Sequence, residues 1–249
     1  LDCDGQGDTG GIAMAMNAII DDCDTEAASV INLSLGGSGQ SSTVDNLFAI
    51  AKQVCHATIV AAAGNSASDA CTFYPAGSQH VITVAASDVF DYFASFSNYG
   101  TCVEVVAPGV KITSSVYADS YASYSGTSMA SPHVAGVASL YAGLYGAQLV
   151  PPPSANGTSI ESAGYSLYGD LVRDIITSTA TSGTLKGSAT TQSKLLFVDQ
   201  AYLEQPLSPA SNGTFPPGIS TGNTFEQTSW NSIFVMTSAF FMLIFMSNL

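Results

Sequence analysis

The chain has 249 residues, of which 46% are hydrophobic, with five Lys and Arg against nineteen Asp and Glu and a formal net charge of −14. That length allows one large domain or two small ones, and the apolar content suffices for a sizeable core. Such an acidic balance excludes a phosphate-binding surface, so no nucleic-acid partner is expected. Only 10% of the residues are charged, which with abundant Ser, Thr, Gly and Ala favours a secreted protein. Cys3, Cys23, Cys55, Cys71 and Cys102 show no Cys-x-x-Cys spacing. This argues against zinc and for disulfides, with an odd thiol left over.

Leu1 opens the sequence with neither an initiator Met nor a basic-then-apolar leader, so the sequence is expected to begin inside a longer protein. Helical spacing in "IAMAMNAII" (12–20) gives way to the polar loop "DDCDTEA" and then to "SVINLSLGG", a buried strand stopped by glycines. "TVDNLFAIAKQV" predicts an amphipathic helix with Leu47, Ile50, Ala51 and Val54 on its apolar face. "ATIVAAAGN", "HVITVAASD" and "CVEVVAPG" read as further buried strands, and a helix starts at Ser128. This alternation is the rhythm of an α/β fold, a mostly parallel sheet with helices on both faces.

After Gly146, "AQLVPPPSANGTSIESAGYS" predicts an irregular surface excursion. Helix returns at "GDLVRDIITSTAT", and a turn with Gly183 and Gly187 leads to "KLLFVDQAYL", a last short strand or docking segment. Residues 205–232 have no periodicity and read as a linker to an apolar tail at 233–249. Its apolar run from Ile233 to Met246, broken only by Thr237 and Ser238, would span roughly 21 Å as a helix, short of a ~30 Å hydrocarbon core.

In parallel α/β sheets, sites form beyond the carboxyl ends of the strands. The ends here are "LSLGG", "AAAGN" and the loop before "GTSMA". Ser128 opens a helix, where backbone N–H groups and the dipole favour negative charge. Asn65 follows a strand and offers a side-chain amide. Together they would form an oxyanion hole beside a serine nucleophile. Taken singly, the serine reads as an ordinary N-cap and the asparagine as a turn residue.

"GTSMASPHVAG" resembles the serine motif of the subtilisin-like serine proteases. "VAAAGN" and "INLSLGG" are similar to that family's oxyanion-asparagine and substrate-binding strands, and "ASFSNYG…VVAPG" matches between them. The likeness covers roughly residues 1–204, is closest to the proteinase K branch, and implies that these residues form the C-terminal part of a catalytic domain, incomplete at its N-terminal side. It implies Ser128 as nucleophile and Asn65 as oxyanion donor. Ser34, Leu35 and Gly36 would be the edge that pairs with substrate backbone. Ala62, Ala63 and Gly64 would form a wall of the pocket for the residue before the scissile bond.

In this family the triad runs Asp, His, Ser along the chain, yet blocks resembling Asp-Thr-Gly and His-Gly-Thr-His are missing upstream of Ser128. Asp8-Thr9-Gly10 lies in a stretch similar to one that follows the histidine block, so its match is read as coincidence. His133 is on the serine's own helix. His56 and His80 each stand at the amino end of a strand, roughly 20 Å from the site by strand rise, whereas a general base works at about 3 Å. The nucleophile is present and its base is not.

The resemblance further implies a Cys71–Cys102 disulfide and, for Cys3, a partner outside this sequence. Cys23 and Cys55, each following a helix that leads into neighbouring strands, are candidates to pair with each other. Gln79, Val81 and Glu104 align loosely with a structural calcium site of two backbone carbonyls and one carboxylate; the chemistry itself requires no cofactor. Asn156 and Asn212 head glycosylation sequons in predicted loops, while Asn32-Leu-Ser sits in a buried strand. Small residues at Ser220–Gly222, a polar spacer and the apolar end follow the layout of a glycosylphosphatidylinositol-anchor signal, with a marginal membrane helix or neither as alternatives. The reading is thus a surface-anchored serine endopeptidase acting on polypeptides as a monomer, inactive in these 249 residues alone. The alternative is a non-catalytic surface glycoprotein that binds peptides or proteins.

Overall fold

A computed structural model describes residues 7–25, 27–149, 168–187 and 194–196. Elements follow in the order α1 (Thr9–Asp22), β1 (Val30–Leu33), β2 (Gly37–Ser38), α2 (Ser42–Val54), β3 (Thr58–Ala62), β4 (Phe73–Tyr74), β5 (Ile82–Ser87) and β6 (Val103–Pro108). They continue with β7 (Ile112–Val116), β8 (Ser120–Tyr124), α3 (Thr127–Leu149), α4 (Tyr168–Thr179), β9 (Thr181–Ser182) and β10 (Lys194–Leu195).

β1, β3, β5, β6 and β10 lie side by side in parallel, and β9 closes the far edge antiparallel to β10. Side chains alternate across this sheet. Val60, Ile82, Val84 and Val105 point into a cluster with α3 and α4, whereas Ile31, Leu33, Ile59 and Ala61 point into one with α1 and α2. Both faces are covered, which is why the strands read as unbroken apolar runs. The expected α/β architecture, with helices on both faces, is what the chain adopts.

α3 buries Ala130, Val134, Ala138 and Tyr141 where it lies across β1, β3, β5 and β6, while His133, Gly136, Ser139 and Leu140 face outward. Close approach to the sheet demands small residues. A Cβ on Gly109, at the end of β6, would meet Ala86 Cβ at 2.6 Å and the Gly126 carbonyl at 2.8 Å. Gly126 N instead donates to the Gly109 carbonyl at 2.8 Å, seating the residues just before α3 on the carboxyl end of the sheet.

Local chemistry moves several boundaries. α1 begins at Thr9, earlier than the apolar spacing implied, because Asp8 caps it: Gly11 N donates to Asp8 Oδ1 at 2.7 Å, a contribution of about 1 kcal/mol. The Asp8-Thr9-Gly10 tripeptide is thus a helix start. The apolar face of α2 is turned from the expected one. Val44, Phe48, Ala51 and Cys55 are buried, while Ile50 and Val54 are exposed. Phe48 stacks on Tyr74, Cys55 is tied to Cys23, and Lys52 turns inward to Asp170 of α4 at 2.5 Å. α3 starts one residue before Ser128 and runs to Leu149, past Gly146. The β7–β8 hairpin was not anticipated. Its three-residue loop places Ala118 and Asp119 at φ 65° and 50°, the left-handed region that Gly, Asn or Asp more usually occupies.

Both disulfides, Cys23–Cys55 and Cys71–Cys102, are formed. Cys3, the sequons at Asn156 and Asn212, and the linker and tail from 205 onward lie outside the described residues. Among the described residues no helix is long and apolar enough to cross a membrane.

Candidate active site

The carboxyl ends of β1 and β3 and the amino end of α3 meet at one corner of the sheet, and their hydrogen bonds interlock. In a helix, the N–H of residue 132 would serve the carbonyl of residue 128, but residue 132 is proline and has no N–H. The orphaned Ser128 carbonyl accepts instead from Ser34 Oγ at 3.0 Å, just beyond β1. Ser34 is itself held by Asn32, whose Nδ2 donates to Ser34 Oγ at 2.9 Å and whose Oδ1 accepts from Ser131 Oγ at 2.6 Å. In return, Ser128 Oγ donates to the Ser34 carbonyl at 3.3 Å. The predicted nucleophile and the predicted substrate edge are therefore adjacent, and Asn32 is engaged inside the fold through its amide.

Asn65 is fixed from the same helix start. Its Oδ1 accepts from the Thr127 backbone N–H at 2.9 Å and from Thr127 Oγ1 at 3.0 Å. Two donors on one oxygen define which way the amide points, leaving the Nδ2 end for an external acceptor. Thr127 Oγ1 also accepts from Gly64 N at 3.0 Å, so a single buried hydroxyl joins the β3 loop to the helix. That loop is braced from beneath by Asn98, which is fully buried. Asn98 Nδ2 donates to the Ala63 carbonyl at 2.8 Å, and its Oδ1 accepts from Ser66 N at 2.9 Å and Ser68 N at 3.0 Å. Gly64 has φ +101°, and a Cβ there would collide with the Asn98 amide, so glycine is required.

Of the remaining predicted residues, Ala62 and Ala63 are buried at the end of β3, Leu35 packs against the α1–α2 cluster, and Gly36 is exposed beside the Tyr74 carbonyl. Thr127, Asn98 and Pro132 were given no role from the sequence, and Asn32 was named only as the head of a sequon. Thr127, Pro132 and Asn98 stood inside the quoted "GTSMASPHVAG" and "ASFSNYG", but their partners are remote in the chain.

The histidines serve other carbonyls or charges. His133 Nδ1 lies 2.8 Å from the Met129 carbonyl one turn back, and His56 Nε2 lies 3.1 Å from the Thr25 carbonyl. His80 stands at the amino end of β5, where burial, followed by the nearby Lys52, lowers its pKa below the ordinary imidazole value despite Asp45 and Asp170; Arg173 adds to the lowering. An imidazole harder to protonate in the folded than in the unfolded state leaves stability intact at high pH and removes it as pH falls from the ordinary imidazole range toward the folded pKa. His80→Asn is expected to flatten that segment of a stability–pH curve measured by urea unfolding.

Two of the three groups aligned with a calcium site, Glu104 and the Gln79 carbonyl, already have a cationic partner. Arg173 of α4 donates through Nε at 2.6 Å to one Glu104 oxygen and through Nη2 to the other, and through Nη1 to the Gln79 carbonyl at 2.7 Å. Val81 is buried against the α1–α2 cluster. Burial raises the Glu104 pKa and the guanidinium opposes that rise. Among the described residues no group of three or more His, Cys, Asp or Glu could hold a metal ion.

A serine on a helix start, whose neighbour Thr127 locks a strand-end amide at the carboxyl edge of a parallel sheet, is the arrangement of an α/β protein of the subtilisin-like serine proteinase class. The Subtilase family model matches residues 2–200, and the chain belongs to that family. It is similar to a "Thermophilic serine proteinase" of Bacillus sp. (strain AK1), 51% identical over 142 residues that make 57% of this chain and 34% of the relative. An "Extracellular serine proteinase" of Thermus sp. (strain Rt41A) is 42% identical over 165 residues, 66% of this chain and 38% of the relative. Among solved structures, a cold adapted subtilisin-like serine proteinase matches with TM-score 0.65 and 35% identity, over 79% of this chain and 64% of that one. The chain thus spans about a third of the length of these curated relatives.

Proposed function

We propose that these residues belong to an extracellular serine endopeptidase that cleaves polypeptides through an acyl-enzyme on Ser128. The observation that carries this reading is the double clamp of Thr127 on Asn65 Oδ1, which sets an amide donor beside the adjacent residue's hydroxyl. Substrate backbone would add along Ser34–Gly36, displacing the Ser128 Oγ contact to the Ser34 carbonyl. Ser128 Oγ would then attack the scissile carbonyl, and its oxygen would take up charge against Asn65 Nδ2 and the helix N-terminus. The leaving amine departs protonated and water releases the acyl group. Base and orienting acid are proposed to come from outside these 249 residues, since His56 and His133 lie against the Thr25 and Met129 carbonyls and His80 lies against the Gln79 side chain. Secretion fits the composition, the two disulfides and the Thermus relative's printed name. The sequons at Asn156 and Asn212 and the apolar tail support a glycosylated, lipid-anchored form.

The second reading, a non-catalytic surface protein that binds peptides, is favoured by one observation: the Ser128 hydroxyl donates to a carbonyl rather than to a base. Fluorophosphonate labelling separates the two. The 249-residue chain alone is expected to remain unlabelled, whereas the longest product of its gene labels at Ser128 and loses label and peptide hydrolysis in Ser128→Ala. A longest product that lacks upstream Asp-Thr-Gly and His-Gly-Thr-His blocks, and neither labels nor hydrolyses peptides, establishes the binding reading.

A further inference from the structure

We infer that Arg173 is a built-in cation that takes the place of a calcium ion at the amino end of β5 and β6. Calcium sites gather six to eight oxygens at about 2.3–2.6 Å around one divalent charge. Of the three groups aligned with such a site, Glu104, through both oxygens, and the carbonyl of Gln79 are met by guanidinium N–H groups of Arg173; the Val81 carbonyl is the third. The planar fork matches the carboxylate in bidentate fashion while its third arm reaches the carbonyl. A divalent ion on the same oxygens would stand against that fixed positive charge and have to share its ligands with the guanidinium donors.

The placement of Arg173 is specified by the fold. α4 buries Leu171, Val172, Ile175 and Ile176 against the sheet, which brings the intervening residue 173 to the sheet margin. One residue before Leu171, Asp170 is drawn to the buried Lys52 of α2. The helix is thus anchored at its first turn by one ion pair and joined to β6 by another. The side chains of Glu104 and Arg173 are 18% and 27% exposed, so the pair is largely withdrawn from water and its partners depend on each other. A carboxylate left in this position without Arg173 is a charge in want of a counterion.

Thermal unfolding of the purified full-length protein, in EGTA and in millimolar calcium chloride, tests this. In the wild type, any calcium-induced rise in Tm is expected to persist unchanged in Glu104→Gln, because no calcium acts through Glu104. Arg173→Ala is expected to melt about 4–8 °C lower than wild type in EGTA and to regain part of the loss in calcium. The double variant Arg173→Ala/Glu104→Gln should lose that regain. A wild-type calcium response that Glu104→Gln abolishes would overturn the assignment, as would an Arg173→Ala protein as stable in EGTA as the wild type. Should Arg173→Ala fail to fold, the comparison of wild type with Glu104→Gln decides alone.

Discussion

Asn98→Ala is expected to lower the unfolding free energy by about 3–4 kcal/mol, read from urea unfolding with an unchanged m-value. The side chain is fully buried and makes three hydrogen bonds to the backbone of the loop that carries Asn65. Truncation strands the Ala63 carbonyl and the N–H groups of Ser66 and Ser68, and each unpaired buried group costs about 1–3 kcal/mol. Water entering the vacated space would recover part of that sum, which is why the figure stays below the arithmetic maximum. Asn98→Asp is the sharper control. Its carboxylate still accepts from the two N–H groups but sets a negative oxygen against the Ala63 carbonyl, so it should be no more stable than Asn98→Ala above the carboxylate titration range. An Asn98→Ala protein within about 0.5 kcal/mol of wild type, the range of ordinary surface changes, would show that the loop is held by its other contacts, Asn98 N to the Gly64 carbonyl and Gly64 N to Thr127 Oγ1.

The parallel sheet was legible because each buried strand is a mostly apolar run followed by a turn with Gly, Asn or Asp, a pattern fixed by burial on both faces. That Ser128, Asn65 and Ser34 come together at one corner was legible because sites collect at the carboxyl ends of such strands and because the quoted blocks resemble one family. The bonds between them were not. The carbonyl that Pro132 leaves unserved is met by a hydroxyl 94 positions earlier, and Asn98 supports a loop some thirty positions before it. Sequence periodicity reports which residues are apolar, not which remote donor a lone carbonyl will find. The face of α2 was misjudged for a related reason. Lys52 counts as polar in any pattern, yet it is buried because Asp170 awaits it on another helix. The same limit applies to Glu104, whose partner Arg173 is contributed by a helix 69 residues further on.

In whatever form of the protein hydrolyses peptides, Asn65→Ala is expected to reduce kcat by about 10² to 10³ while KM changes by less than about threefold. An asparagine donor of a subtilisin is the reference case for that magnitude, which is carried over and not calculated. The split between kcat and KM follows from when the contact forms. The ground-state carbonyl carries little charge, so the Nδ2 hydrogen bond gains most of its strength as the oxygen becomes an oxyanion; interactions of that kind lower the barrier without tightening substrate binding. Thr127→Val tests the clamp separately. It keeps the backbone N–H that holds Asn65 Oδ1 at 2.9 Å but deletes the hydroxyl at 3.0 Å, so the amide is less firmly aimed and kcat should fall by about tenfold, the worth of one ordinary hydrogen bond. Asn65→Asp completes the series. Its carboxylate can still accept from Thr127, so the local fold is retained, but it presents an acceptor and a negative charge where the oxyanion needs a donor. At neutral pH it should be at least as slow as Asn65→Ala. If Asn65→Asp kept wild-type kcat, charge stabilisation at this corner could not come from residue 65, and the backbone N–H groups at the start of α3 would have to supply it alone.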